Sequence, residues 1–230
     1  MTETGQILPI HLVAILAFDG LQPIDLAGPA QAFATANEEG AAPPYALRVV
    51  GPAAGTAATT SGFGVTVEAC PEGPIGTLLI PGGPGVHAAS GDPAWRGFLA
   101  EAAGRAARVC AVCTGAFLAA AAGLLEGRRA VTHWRACDRL AAEHPAVTVD
   151  PQPLFIEDGP VWTTAGVTAG IDLALALIER DHDAALAARV ARRLVVPLRR
   201  AGGQQQVSAL LALQARGAAP FEPLLAAIAA

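Results

Sequence analysis

Hydrophobic positions along this chain form short blocks of strand length, separated by stretches with helical spacing. Several of the short blocks are continuously apolar, which is typical of strands buried on both faces of a parallel sheet. Residues 63–68 instead alternate with a period of two, as a half-exposed strand or a hairpin arm does. The predicted strands are residues 10–18, 45–50, 63–68, 77–80, 109–112, 130–132, 147–149 and 161–164.

Helical patterns lie between most of these strands. Asp92 and Pro93 are residue types preferred at a helix N-cap and at the first helical position, so a helix is predicted to begin there. The other predicted helices are residues 30–37, 114–125, 167–179 and 183–196. Strands that alternate with helices in this way predict an α/β fold, a sandwich with a mostly parallel sheet.

Composition and charge narrow the class of protein. The chain has 230 residues, 53% hydrophobic and 15% charged, which excludes a disordered chain. Its formal net charge of −5 argues against nucleic-acid binding by the chain as it stands. No secretory signal is visible, and the longest uncharged stretch, residues 109–125, combines a strand with a helix, so no membrane span is expected. We therefore expect a cytoplasmic protein whose four cysteines are thiols.

Cys113 has the most informative sequence context. It follows the apolar strand 109–112 and precedes Thr114 and Gly115, where a helix is predicted to begin. A tight strand-to-helix turn of this kind, a nucleophile elbow, presents one side chain at the carboxyl end of a sheet. Because a helix N-terminus stabilises a thiolate, we expect a lowered pKa for Cys113. The alternative for any single cysteine is a buried side chain that acts as a small hydrophobe.

Cys110 and Cys113 also form a C-x-x-C pair, a spacing typical of redox and metal sites. Cys110 is predicted to lie within the strand, about 10 Å back along an extended chain, which is too far for a disulfide. The sequence has no second cysteine pair and no H-E-x-x-H motif, so it predicts neither a metal nor a cofactor. Cys70 and Cys137 are isolated and are predicted to be structural.

A glycine turn at residues 81–85 follows the buried strand 77–80 and is expected beside Cys113 at the same edge of the sheet. Its backbone amides, with Gly83 as the candidate, could form an oxyanion hole together with the amide of Thr114. A plain glycine turn is the alternative interpretation of this segment.

Two titratable residues are candidate partners of Cys113. Asp25 follows the loop after the first strand, so it could exchange protons with Cys113 or simply cap a helix. His133 ends the segment Val-Thr-His and precedes a tryptophan, and a lone histidine in such a position is more often packed than catalytic.

Five segments together resemble the ThiJ/PfpI superfamily, which shares the class I glutamine amidotransferase-like fold. The resemblance covers roughly residues 10–196. It implies a flavodoxin-like three-layer sandwich, Cys113 as the elbow nucleophile and a homodimer. The segments are residues 25–29 (Asp-Leu-Ala-Gly-Pro), 80–83 (Ile-Pro-Gly-Gly), 112–117 (Val-Cys-Thr-Gly-Ala-Phe), 131–134 (Val-Thr-His-Trp) and 164–172 (Thr-Ala-Gly-Val-Thr-Ala-Gly-Ile-Asp).

Two branches of the superfamily are similar to this chain. Isonitrile hydratases share the Asp before Gly-Pro and the Cys-Thr-Gly turn. That resemblance implies that Cys113 attacks an isocyanide carbon, Asp25 transfers protons and Thr114 supports the site, with release of an N-substituted formamide. The amino-terminal domains of AraC-type transcriptional regulators carry the same turn. Superfamily proteases have Glu in place of Asp25 and His in place of Thr114, which counts against peptidase activity.

The end of the chain favours the regulator. Residues 191–204 resemble the end of the regulators' amino-terminal domain, and short helices are predicted at 207–215 and 220–230. We predict a ThiJ/PfpI-like domain at residues 1–198 and a helical connector at 199–230 that leads to a DNA-binding domain outside this chain. The predicted function is therefore that of a sensor domain whose Cys113 pocket binds or reacts with a small metabolite. An isonitrile hydratase is the alternative.

Overall fold

The apolar blocks of the sequence form the strands of one large sheet in the computed structural model, which describes residues 10–197 and 199–206. Most predicted strands lie within two or three residues of their predicted positions. The strands are β1 (His11–Leu16), β2 (Tyr45–Gly51), β3 (Gly55–Ala58), β4 (Gly64–Ala69), β5 (Ile75–Ile80), β6 (Ala106–Val112), β7 (Arg129–Ala130), β8 (Thr148–Val149), β9 (Phe155–Asp158) and β10 (Val161–Thr164).

The large sheet has the strand order β3-β4-β2-β1-β5-β6-β10-β9. All neighbouring strands from β4 to β10 are parallel, and only the two edge strands, β3 and β9, pair in the antiparallel direction. The mostly parallel sheet predicted from the sequence is therefore confirmed. Because parallel strands point the same way, the segments after β1, β5, β6 and β10 all emerge at one edge of the sheet.

Helices cover both faces of this sheet and complete the predicted three-layer sandwich. One face carries α1, α6 and α7, which contact one another, and the other carries α2, α3 and α4. The helices are α1 (Pro23–Glu38), α2 (Val86–Gly91), α3 (Pro93–Gly104), α4 (Gly115–Ala121), α5 (Cys137–Glu143), α6 (Ala169–Asp181) and α7 (Ala184–Arg193). The predicted cap of α3 is confirmed, since the Ala94 amide donates to the Asp92 carboxylate at 2.8 Å.

Several predicted elements have different bounds. Helix α1 begins at Pro23 rather than at residue 30, and it therefore contains Pro29 although proline is disfavoured inside helices. The predicted helix 114–125 ends at Ala121, where turns take over. The predicted strands 130–132 and 147–149 shrink to the two-residue strands β7 and β8, which pair with each other outside the large sheet.

Residues 199–206 lie against the domain. The amides of Leu154 and Phe155 both donate to the Gly202 carbonyl oxygen, and the Gln206 amide donates to the Gln152 carbonyl oxygen. The helices predicted at 207–215 and 220–230 lie outside the described residues. Within the part of the chain that the structure describes, none of the helices combines the length and the apolar character that crossing a membrane requires.

Candidate functional site

Cys113 lies at the turn between β6 and α4, where the strand passes directly into the helix. Its φ is +56°, a left-handed backbone conformation that is uncommon for any residue with a side chain. The Cys113 amide donates to the Thr164 carbonyl oxygen at 2.9 Å, and its own carbonyl oxygen accepts from the Thr132 hydroxyl at 2.7 Å. Both neighbouring segments therefore hold this backbone conformation in place.

Close packing around the turn depends on glycine. A Cβ atom at Gly115 would lie 2.2 Å from the Ile80 carbonyl oxygen, so only glycine lets α4 begin this near to the end of β5. Gly166, which has a φ of +84°, is equally constrained, because a Cβ atom there would lie 2.1 Å from the Cys113 Cβ. These two residues explain why the sequence places glycine next to the turn and in the loop after β10.

Asp25 lies beneath Cys113 and is fully buried. Its Oδ1 accepts from the Val167 amide at 2.7 Å, its Oδ2 accepts from the Gly82 amide at 3.1 Å, and the carboxyl group also hydrogen-bonds to the Cys113 thiol. Burial raises the pKa of Asp25 above its ordinary value, while the two amide donors lower it less. The position of Asp25 beside Cys113 follows the sequence-based expectation, whereas the alternative of a helix cap is wrong because Gln22 occupies the N-cap of α1.

The pKa of the Cys113 thiol differs from the lowered value that the sequence predicted. Burial, and after it the charge of the Asp25 carboxylate, raises the pKa of Cys113 to about 12. The amide and hydroxyl groups of Thr114 lower this pKa by a smaller amount. The predicted lowering of the pKa is therefore wrong, because removal of water and a nearby negative charge outweigh the N-terminus of α4.

Gly83 supports the site through Thr114. The Gly83 amide donates to the Thr114 hydroxyl oxygen at 2.9 Å, and that hydroxyl lowers the pKa of the Cys113 thiol. The Gly82 amide is likewise engaged, with Asp25. Since both amides already have acceptors, the hydrogen bonding does not support the expectation that Gly83 donates to an oxyanion.

His133 lies at the wall of the site without a hydrogen bond to Cys113 among the contacts of the described residues. Its Nδ1 accepts from the Arg135 amide at 3.3 Å. Burial, and then the charge of Arg135, lower the pKa of His133, so the ring is neutral at neutral pH. The partners that touch the thiol are therefore a carboxyl group and a hydroxyl group rather than an imidazole.

A cavity of about 210 Å³ opens next to the Cys113 sulfur. Four of the five predicted site residues line it, and the fifth, Asp25, lies behind the thiol. Four further lining residues were not among the predicted site residues. The cavity is lined by Gln22, Gly83, Pro84, His87, Cys113, Thr114, His133 and Val167.

His87 is the additional polar residue with the clearest role in this wall. Its Nε2 lies 3.1 Å from a guanidinium nitrogen of Arg139, and because a guanidinium only donates, Nε2 is the acceptor. Burial, followed by the charge of Arg139, lowers the pKa of His87. The signal that could have found His87 is its position on the helix after the 81–85 glycine turn, at the carboxyl end of β5.

The substitution Asp25→Asn is expected to shift the pH profile of Cys113 alkylation to lower pH. The carboxylate opposes the thiolate, so replacing it with a neutral amide of the same shape makes the thiolate easier to form. The measurement is the rate of iodoacetamide labelling at Cys113 across the alkaline range, resolved by peptide mass spectrometry. Asp19→Asn is the matched control, because the Asp19 carboxylate bonds to the Ala58 amide instead. A shift to higher pH in Asp25→Asn would contradict this assignment.

Comparison with known proteins shows which family and which relatives this chain is similar to. The model of the DJ-1/PfpI family matches residues 11–180. The isonitrile hydratase of Pseudomonas putida is 33% identical over 172 residues, which make up 73% of this chain and 70% of that protein. The HTH-type transcriptional regulator CdhR of Pseudomonas aeruginosa is 47% identical over 83 residues, which make up 36% of this chain and 24% of the regulator.

Solved structures of other proteins have the same fold as this chain. The crystal structure of a ThiJ/PfpI family protein from Pseudomonas syringae has a TM-score of 0.73 and 26% sequence identity, and the match covers 86% of this chain and 82% of that one. The superfamily resemblance predicted from the five sequence segments is thus confirmed by both sequence and fold. Because the family match spans most of the chain, this protein belongs to the DJ-1/PfpI family.

Proposed function

We propose that this chain is the sensor domain of an AraC-type transcriptional regulator and that its Cys113 cavity binds or reacts with a small metabolite. One observation carries the proposal: Cys113 lies in the wall of a cavity of about 210 Å³, and the nearby Gly82 and Gly83 amides are already hydrogen-bonded. Such a site gives a ligand a place next to a thiol, whereas these two amides are occupied and do not form an oxyanion hole. The similarity to the regulator CdhR supports this role.

The cavity indicates what kind of ligand it would accept. Its volume of about 210 Å³ suits a molecule of few non-hydrogen atoms. The side chains that line it are uncharged at neutral pH, because burial lowers the pKa of both His87 and His133. Hydrogen bonding from Gln22, Thr114 and the two imidazoles would therefore select a small polar compound.

The gene itself tests the regulator proposal. The reading frame is expected to continue past the codon for Ala230 into a helix-turn-helix DNA-binding domain. The whole regulator would then be assayed on a reporter promoter with small polar metabolites, and Cys113→Ala is expected to abolish or alter the response. Cys70→Ala is the matched control, because that half-buried thiol contacts Arg105 instead of the cavity. A stop codon directly after Ala230, or an unchanged response in Cys113→Ala, would count against the proposal.

A second candidate function is isonitrile hydration, favoured by the contacts among Asp25, Cys113 and Thr114 and by the 33%-identical hydratase. In this reaction the Cys113 sulfur bonds to the isocyanide carbon, while Asp25 accepts the thiol proton and delivers it to that carbon. Water then adds to the resulting thioimidate and the carbon–sulfur bond breaks. The products are an N-substituted formamide and the restored thiol. The raised pKa of Asp25 suits a group that must accept a proton.

The hydratase candidate has a direct assay. Incubation with a small alkyl isocyanide is expected to yield the formamide, and Cys113→Ala and Asp25→Asn are each expected to abolish it. Thr114→Val removes the hydroxyl, including its role as the acceptor of the Gly83 amide, and is expected to slow the reaction by about 100-fold. Activity in Cys70→Ala should match that of the unchanged protein. Absence of Cys113-dependent formamide across several isocyanides would remove this candidate.

The remaining expectations from the sequence are part of the same proposal. We propose a homodimer in the cytoplasm that contacts DNA only through a separate domain. The domain boundary between residues 198 and 199 also stays a prediction.

A further inference from the structure

Residues 199–206, here called the output segment, contact the domain through side chains as well as backbone. Arg200 donates to the Asp172 carboxylate through Nε at 3.0 Å and Nη2 at 2.6 Å, and the Asp172 side chain is only 4% exposed. The Arg200 guanidinium also donates to the Thr168 hydroxyl at 3.0 Å. A mostly buried carboxylate therefore holds the beginning of this segment.

The end of the output segment is connected to Cys113. The Gln206 side-chain amide donates to the Thr132 carbonyl oxygen at 2.9 Å and to the Pro151 carbonyl oxygen at 3.1 Å. Thr132 is fully buried, and its hydroxyl donates to the Cys113 carbonyl oxygen at 2.7 Å. Thr132 therefore connects Gln206 to Cys113, because it is hydrogen-bonded to both residues.

A second connection runs through the backbone beside β10. The Cys113 amide donates to the Thr164 carbonyl oxygen, and the Thr164 hydroxyl donates to the Leu154 carbonyl oxygen, both at 2.9 Å. The Leu154 amide in turn donates to the Gly202 carbonyl oxygen at 2.7 Å. A Cβ atom at Gly202 would lie 2.7 Å from the Phe155 ring, so the segment fits this surface closely.

The residues that hold the output segment directly adjoin residues that line the cavity. Thr132, the partner of Gln206, precedes His133, and Thr168, the partner of Arg200, follows Val167. Cys113 is only 6% exposed and shares the cavity wall with His133 and Val167, so a group that fills the cavity from its sulfur contacts both of these residues. Movement of the wall at residues 132–133 and 167–168 would strain both anchors of the segment.

We propose that the output segment is released when a ligand or a covalent group fills the Cys113 cavity, and that its docking in turn restricts access to the thiol. This inference rests on the proposed sensor function, since it names the part of the domain that would carry the signal toward a DNA-binding domain. The coupling is reciprocal, because a group that favours the released state must itself bind better when the segment is released.

Hydrogen exchange on the 230-residue chain tests the first half of the proposal. Alkylation of Cys113 with iodoacetamide is expected to speed exchange of the Arg200, Gln206 and Leu154 amides by about fivefold or more, the lower end of allosteric coupling. Cys113→Ser treated in the same way should leave these amides unchanged, which separates the effect from labelling of other cysteines. Unchanged exchange in alkylated protein would overturn the proposal.

Two variants of the segment test the reciprocal effect. Gln206→Leu and Arg200→Leu are each expected to raise the rate of Cys113 alkylation by about fivefold or more. The matched control is Gln205→Leu, because the Gln205 side chain donates to the exposed Gln152 side chain. Equal melting temperatures would show that the variants remain folded. Equal alkylation rates in Gln206→Leu and Gln205→Leu would overturn the coupling.

The outcomes separate this inference from the proposed function. A gene that stops after Ala230 would remove the regulator while leaving the coupling measurable in the chain. A gene that continues into a DNA-binding domain, together with unchanged exchange and alkylation, would leave the sensor function standing and remove the output segment from it.

Discussion

Gly166→Ala is expected to lower the free energy of unfolding by at least about 4 kcal/mol, a loss that few single substitutions reach. The added Cβ would lie 2.1 Å from the Cys113 Cβ and 2.6 Å from its Cα. Neither atom can move aside, because the Cys113 backbone is held by hydrogen bonds to Thr164 and Thr132. The clash can therefore be relieved only by moving the turn or the loop after β10. Urea denaturation gives the free-energy change.

A second glycine supplies the control for backbone strain alone. Gly62 has a φ of +85°, nearly that of Gly166, but a Cβ atom there would meet nothing within 4 Å. Gly62→Ala is therefore expected to cost only about 1–2 kcal/mol, the strain of a left-handed alanine. In addition, Gly166→Ala should expose the Cys113 thiol to alkylation, whereas Gly62→Ala should not. Equal losses of stability in the two variants would show that the close contact with Cys113 is not the cause.

Asp181→Asn is expected to destabilise the protein by about 3 kcal/mol or more, since it leaves a buried cation without its counter-ion. Arg108 and Asp181 form a two-bond ion pair with both distances at 2.6 Å, and their side chains are 11% and 17% exposed. Tyr45 donates its hydroxyl to the same carboxylate at 2.8 Å. The Arg108 guanidinium also donates to the Thr77 hydroxyl, so it is held in the interior and cannot move to the surface to regain hydration.

The double variant Arg108→Leu/Asp181→Leu is the control for this ion pair. Removing both charges leaves no unpaired ion, so part of the lost stability should return. Both residues lie far from the carboxyl edge of the sheet, near the amino ends of β2 and β6, so the pH profile of Cys113 alkylation should stay unchanged. A double variant that is less stable than Asp181→Asn would show that the pair itself is strongly favourable.

The same ion pair makes stability depend on pH. Burial alone would raise the pKa of Asp181, but the hydrogen bonds and charge of Arg108 outweigh it and hold this pKa below its ordinary value of 3.8. A lowered pKa contributes stability that is present above the ordinary value and lost as the pH falls through the lower one. The difference in stability between the unchanged protein and Asp181→Asn should therefore shrink in acid. Urea denaturation at several acidic pH values measures it, and a constant difference would contradict the ion-pair assignment.

Local sequence determined most of the framework of this protein. Short apolar runs such as residues 77–80 are typical of strands buried on both faces of a sheet, and this pattern predicted β5 and the parallel sheet. Asp92 and Pro93 define the start of α3 through capping interactions that lie within three residues. The context of Cys113 likewise predicted a strand-to-helix turn, because both elements adjoin it in the chain.

Elements with weak local patterns were missed. β9 and α5 have four and seven residues, too few to show a period, and they form because neighbouring elements give them a surface to pack against. β7 and β8 were predicted, but as longer strands, and they are held by pairing with each other. β9, for example, is held by antiparallel pairing with β10, which the pattern of its own four residues does not reveal.

The chemistry of the site was decided only by the tertiary structure. The sheet order brings the loops after β1, β5, β6 and β10 to one edge, and this places Gln22 and His87 in the cavity although neither belongs to a motif of the sequence. The pKa of Cys113 depends on how closely the surrounding loops exclude water and on the carboxylate that they place beside the sulfur, so a pattern at the helix start predicted the wrong direction. The sequence by itself indicated Cys113 and its turn, because residue types and local periods act over a few positions. Burial, hydrogen-bond partners and the docking of residues 199–206 arise from contacts between distant segments, and these exist only in the folded chain.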